Sequence, residues 1–163
     1  MTAVRTGLDR IASGDSKAVR LVAGRKVGLL AHAASVDSEL RAAAAVLDAA
    51  GARIRALFGP EHGFAGAVQD MIGVGSESEA EIPVHSLYGD DASDLSPKPE
   101  WLAELDVLVI DLQDVGSRYY TYVWTAALAM KAAASVGTEV VVLDRPNPLG
   151  GVRVEGAPQR SGY

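Results

Sequence analysis

Glu61 and His62 stand side by side in the stretch Leu57-Phe58-Gly59-Pro60-Glu61-His62-Gly63-Phe64-Ala65-Gly66. A carboxyl next to an imidazole can donate, accept or relay a proton near neutral pH. The stretch follows an apolar run over 54–58 that reads as a short strand. Gly59 and Gly63 permit backbone angles closed to other residues, and Pro60 fixes φ and removes a donor. Both side chains are therefore carried on a tight loop at the end of a strand, where α/β proteins usually place chemistry.

Other residues able to bind or react recur at comparable places. His32 closes the run KVGLLA over 26–31, and Tyr88-Gly89-Asp90-Asp91 follows IPVHSLY over 82–88. Asp111-Leu112-Gln113-Asp114, with Arg118 and Tyr119 just beyond, closes DVLVID over 106–111, and Asp144-Arg145-Pro146-Asn147 follows EVVVL over 139–143. If these runs are parallel strands, their C-terminal ends share one edge and the residues converge there. Two chemistries fit such an edge. One is paired acid–base work by carboxylates and histidine, as in glycoside hydrolysis. The other is a divalent-metal site of Asp111, Asp114, Asp144 and Glu61, since hard cations favour clustered oxygen ligands.

The elements that must position these groups follow from pattern. Val4, Leu8 and Ile11 recur at i, i+4, i+7 and predict a short opening helix ended by Gly14. After the first strand, Ser35 and Asp37 offer N-caps for a helix whose inner face is Leu40, Ala43, Ala44 and Leu47, with Gly51 as its stop. The second strand is 53–58, and 67–81 reads as an excursion rich in glycine, serine and acids. The third strand carries Pro83 and is expected at a sheet edge. A short helix over 100–105 precedes the fourth strand, whose continuous apolar run suits a buried parallel strand. A helix after Ser117 is expected to pack Tyr119, Val123, Ala126, Met130 and Ala133 inward and to end at Gly137.

Alternating strands and helices imply right-handed crossovers. The expected fold is α/β: a doubly wound, mainly parallel five-stranded Rossmann-like sheet with helices on both faces. One catalytic domain spans 1–149, and 150–163 reads as the start of a linker. Trp101, Trp124 and His85 are expected in packing roles.

The chain has 163 residues, 48% of them hydrophobic, enough for one sizeable core. A net charge of −6 argues against nucleic acid or anionic membrane as a partner. No apolar run reaches membrane-spanning length, and the first ten residues lack the apolar centre of a secretion signal. The chain as given reads as cytoplasmic, or as periplasmic or secreted if a signal has been removed. Without cysteine there is no disulfide, thiolate nucleophile or cysteine zinc site. The sequence has no P-loop, no glycine-rich dinucleotide turn after the first strand and no G-x-S-x-G elbow.

LFGPEHGFAG (57–66), SLYG (86–89), DLQDVGSRYYTY (111–122) and VLDRPNPLGG (142–151) together resemble, in order and spacing, the NamZ-type exo-β-N-acetylmuramidases. TGLD (6–9) and GRKVGLLAHAASVD (24–37) resemble that family's opening segment, with His32 where the family usually has asparagine. The resemblance implies a Rossmann-like catalytic domain followed by a C-terminal domain absent from this chain, with the active site between the two. It implies release of N-acetylmuramic acid from the non-reducing end of peptidoglycan fragments in cell-wall recycling, without a cofactor or a metal. Glu61 is then the acid/base candidate, and His62 orients or tunes it. The second catalytic group is Asp114 or a residue of the missing domain. Arg118, Tyr119 and Tyr122 are substrate contacts, with Asp111, Gln113, Asp144 and Asn147 in the same set. Asp144 is expected to hold Arg145 or Asn147. The partners implied are a peptidoglycan-derived saccharide and the missing domain, and a homodimer is allowed. The rival readings are a metal-dependent phosphohydrolase and a non-catalytic muropeptide-binding module.

Overall fold

The structure, a computed structural model, describes residues 4–60 and 82–161. Five strands form one sheet in the order β3-β2-β1-β4-β5. They are β1 (Lys26–Ala31), β2 (Arg53–Gly59), β3 (Val84–Ser86), β4 (Val107–Asp111) and β5 (Glu139–Val142). Every neighbouring pair is parallel. The order steps outward one way from β1 through β2 to β3, and the other way from β1 through β4 to β5. The direction of winding therefore reverses between β1 and β4, the place where doubly wound folds bind ligands at the strands' C-terminal ends.

Successive strand side chains point to opposite faces, and the two cores follow that period. Val27, Leu29, Ala31, Leu57, Val107, Val109 and Val141 pack on one face beneath α1 (Gly7–Ala12), α2 (Ser16–Val19) and α3 (Ala43–Ala49). Leu30, Ala56, Phe58, Leu108 and Ile110 pack on the other beneath α4 (Pro99–Leu102) and α5 (Tyr122–Val136). The sheet is thus covered by helices on both faces, as doubly wound folds require. Gly28 belongs to the second face. A Cβ there would stand 2.5 Å from Leu105 Cδ1 and 3.0 Å from Phe58 Cε2, so the missing side chain lets the loop before β4 close on the sheet.

Local chemistry sets the helix ends. Thr6 and Asp9 form a reciprocal capping box at the start of α1. The left-handed Gly137, at φ 78°, closes α5. None of the described helices is long and apolar enough to cross a membrane.

Four expectations change. Leu8 and Ile11 are buried as the opening pattern requires, but Val4 lies exposed outside α1, and an unforeseen α2 follows Gly14. Leu40 is 81% exposed and left-handed at φ 62°, not on the inner face of α3. Its place follows from Asp37, whose carboxylate accepts from the backbone amides of Glu39 and Arg41 and from the Arg41 guanidinium. That turn occupies the residues the pattern assigned to the first helical turn. The third strand is short and lies at the sheet edge, as Pro83 implies.

The fourth change concerns α5. It begins at Tyr122, and its packed stripe is Tyr122, Thr125, Ala129 and Ala133. Val123 and Met130 are exposed, and Trp124 is 67% exposed. An alanine-rich helix that is apolar all round gives periodicity no face to select. Trp101 does pack, against the second core, where its ring stacks at 3.9 Å on His85, which in turn stacks on Phe58.

Candidate active site at the sheet edge

Because all five strands are parallel, the loops after β1, β4 and β5 meet at one edge. Buried polar contacts hold them together. Ser35, fully buried, accepts a hydrogen bond from the His32 amide at 3.0 Å and donates one to the Asp111 carbonyl at 2.5 Å. One hydroxyl thus fixes the end of β1 to the end of β4.

Arg145 performs the same task between β4 and β5. Its Nε and Nη2 donate to the two carboxylate oxygens of Asp111 at 2.5 and 2.8 Å, and Nη2 also donates to the Val36 carbonyl at 2.9 Å. Asp111 is completely buried and the Arg145 side chain is 8% exposed. Burial pushes the Asp111 carboxyl upward, while the guanidinium beside it pulls the other way. Hydrogen bonds from Arg145 to that carboxylate hold the guanidinium firmly protonated. Asp111 is therefore a support inside the edge. Its oxygens are already taken, so it is not the surface contact the sequence suggested, nor a ready metal ligand.

Gln113 is also turned to structural use. Its Nε2 donates to the Asp114 carbonyl at 2.7 Å and to the Pro146 carbonyl at 3.1 Å, linking the β4 and β5 loops. Its backbone amide donates to His32 Nε2 at 3.2 Å. Burial, reinforced by the charge of Arg145, lowers His32 to about 4, so the imidazole is neutral at ordinary pH.

The groups left facing outward are fewer. Asp114 is half-buried, and among the described residues its Oδ2 receives only a long 3.4 Å contact from Asn147 Nδ2. Asn147 Oδ1 accepts from the Leu149 amide at 2.9 Å. Arg118 is exposed and donates to the Ala157 carbonyl at 2.7 Å. Among the described residues Arg118 forms no ion pair, with Asp114 or any other acid. Tyr119 is 87% exposed in a turn before α5, while Tyr122 is buried in its first turn. The two do not share a helix side. Tyr120 and Tyr122 touch instead, with ring centroids 4.6 Å apart.

Asp144 is exposed, and among the described residues its carboxylate holds neither Arg145 nor Asn147. Its backbone carbonyl accepts from the Gly7 amide. Glu61 and His62 lie outside the described residues; in sequence they follow Gly59, the last residue of β2. Among the described residues no three His, Asp or Glu side chains are grouped to hold a metal ion. Among the described residues, the segments after β4 and β5 offer a carboxylate (Asp114), a carboxamide (Asn147) and a guanidinium in no ion pair (Arg118). Hydroxyl, amide and carboxylate groups of a polar ligand suit that set. Ser35 ties β1 to β4 instead of capping a helix, and Arg145 pairs with Asp111 instead of Asp144. A lone acid closing an apolar strand was the available sign that Asp111 would need a buried cation.

Comparison with known proteins adds the following. Residues 27–163 match the family described as exo-β-N-acetylmuramidase NamZ, N-terminal. The peptidoglycan β-N-acetylmuramidase NamZ of Bacillus subtilis is 40% identical over 156 residues, 94% of this chain and 36% of that protein. A DUF1343 family protein from Bacteroides fragilis has a crystal structure that superposes with a TM-score of 0.79 at 39% identity, over 98% of this chain and 39% of its own. A second from the same organism superposes with a TM-score of 0.64 at 25% identity, over 90% of this chain and 36% of its own. The chain thus spans well under half the length of each of these relatives.

Proposed function

The chain belongs to the exo-β-N-acetylmuramidase NamZ family through its N-terminal part, and from that premise we propose that the protein removes terminal N-acetylmuramic acid from the non-reducing end of peptidoglycan fragments. The observation that carries the reading is the 40% identity to the Bacillus peptidoglycan β-N-acetylmuramidase across nearly the whole chain. A glycosidase needs an acid at the leaving oxygen and a carboxylate or activated water on the other face of the sugar. Glu61 is the proton donor in this reading, and His62 tunes it. Asp114, or a group in the part of the protein beyond this chain, works on the other face.

Arg118, in no ion pair among the described residues, supports the choice of sugar. N-acetylmuramic acid differs from N-acetylglucosamine by a lactyl ether that ends in a carboxylate. A guanidinium can grip a carboxylate through two parallel hydrogen bonds. Asn147 and Tyr119 supply further polar contacts on the same loops.

The test is hydrolysis of a muramyl–glucosamine disaccharide by the full-length protein and by Glu61→Gln. General acid–base catalysis contributes roughly 10²–10⁴-fold, so kcat/KM should fall by at least about 100-fold with melting unchanged. Saturating chelator should leave the wild-type rate intact. Near-normal kcat in Glu61→Gln would remove Glu61 from the reaction. A chelator loss restored by magnesium would replace the glycosidase reading with the phosphohydrolase one.

A further inference from the structure

His32 ends β1 at the point where the sheet's winding reverses, beside the end of β4. Its position is fixed from three sides. The backbone amide donates to Ser35 Oγ and the carbonyl accepts from the Ser35 amide at 2.9 Å. The ring meets Tyr122 edge-on, centroids 4.9 Å apart at 69°. Nε2 accepts the Gln113 amide at 3.2 Å. A nitrogen that accepts from an N–H carries no proton, so in the neutral ring the proton sits on Nδ1. Nδ1 has no partner among the described residues, yet no buried side-chain nitrogen or oxygen among them lacks one. Nδ1–H is therefore not sealed from solvent.

We infer that His32 is a substrate-binding residue whose Nδ1–H donates a hydrogen bond to an acceptor oxygen of the bound saccharide, its tautomer set by the Gln113 amide. The proposal rests on the glycosidase reading for the identity of the ligand. A neutral imidazole suits a hydroxyl or amide oxygen, and it leaves the sugar's carboxylate to Arg118. The arrangement is preorganised, because the backbone amide of Gln113 cannot reverse its polarity and so the ring cannot exchange tautomers without breaking that hydrogen bond. The contrary possibility is that His32 serves only as an acceptor for Gln113 and holds the β4 loop.

Two isosteric variants separate these. In Asn the side-chain nitrogen stands where Nδ1 does, and the Nε2 acceptor is lost. In Gln the terminal group stands where Nε2 does, and the Nδ1 donor is lost. On the muramyl–glucosamine disaccharide, His32→Gln should lower kcat/KM about tenfold, mainly through KM, and His32→Asn should retain more, within about threefold of wild type; a neutral hydrogen bond is worth roughly that factor. His32→Gln equal to or better than His32→Asn would overturn the proposal and leave His32 as a loop support. Because either variant could disturb folding, the wild-type protein labelled with ¹⁵N-histidine is titrated with N-acetylmuramic acid. The Nδ1–H tautomer with a resonance that moves on binding is expected; an Nε2–H tautomer, or an unmoved Nδ1–H, overturns it. A wild-type protein inactive on the disaccharide would defeat the functional reading itself. An active wild type with unaffected His32→Gln defeats only the role of His32.

Discussion

Removing Arg145 should destabilise the sheet edge in a way that depends on pH. Among the described residues the side chain gives the Asp111 carboxylate both of its hydrogen bonds, and Asp111 has no access to water. Breaking one partner from a buried pair typically costs about 3–5 kcal/mol, because the remaining charge stays buried. A second route to the number is available. The stranded carboxyl can escape by taking up a proton, which for an ordinary carboxyl at pH 7 costs about 4 kcal/mol, at ~1.4 kcal/mol per unit between its usual value and the solution. The two routes agree, so Arg145→Ala should lose roughly 3–5 kcal/mol at pH 7.

At pH 5 the protonation route costs only about 1.5 kcal/mol, and the loss should shrink accordingly. The sign follows from linkage. Without Arg145, Asp111 titrates higher folded than unfolded, so the folded state holds the extra proton and stability falls as pH rises from about 4 towards 7. Urea unfolding of wild type and Arg145→Ala at pH 5 and pH 7 measures both quantities. Adding Asp111→Asn to Arg145→Ala should erase most of the pH dependence. A loss below about 1 kcal/mol at pH 7, or one equal at both pH values, would refute a buried ion pair as the support of this edge.

Two further outcomes concern α1. A Cβ on Gly7 would stand 2.6 Å from Leu143 Cα and 2.9 Å from its carbonyl carbon, so Gly7→Ala should cost about 1–3 kcal/mol by urea unfolding as helix and strand are forced apart; unchanged stability would mean that α1 is not seated on the end of β5. Burial works against ionisation of Asp9, but hydrogen bonds from Ser38 and Thr6 outweigh it and hold the carboxyl at about 2 against an ordinary 3.8. Its contribution is therefore present above about pH 4 and lost as pH falls through 2, and Asp9→Asn should flatten the acid side of the stability profile over that range.

The sheet was legible because its strands are apolar runs that end in polar clusters, and both features survive in one dimension. Val107–Asp111 needs nothing but its own composition to be read as a central strand. The errors fell where a side chain competes with the backbone or where a helix has no polar face. Asp37 draws the amides of Glu39 and Arg41 into a turn, and Leu40 is carried outward against its own hydrophobicity. In α5 every face is apolar enough to be the inner one, and it is Tyr122 that turns inward while Tyr119 stays exposed.

The candidate site was legible only as a crowd. Asp111, Gln113, Asp114, Asp144, Arg145 and Asn147 read alike in sequence, since each is polar and follows a strand. The structure divides them by burial. Asp111, Arg145 and the Gln113 carboxamide spend their hydrogen bonds on one another's loops, while Asp114, Asn147 and Arg118 keep capacity facing outward. The division has a physical cause. Three loops carrying charged residues cannot be held at one edge by apolar contacts alone, because their backbone carbonyls would lie buried without donors. Some of the polar residues must therefore turn inward to satisfy them, and those are the ones a ligand cannot reach. On the proposal above His32 belongs to both groups, with one ring nitrogen committed to Gln113 and the other, without a partner among the described residues, left for the ligand. A residue that joins the supporting network to the open edge passes any disturbance of one to the other, so the geometry of the β4 loop and the direction of the Nδ1–H donor stand or fall together.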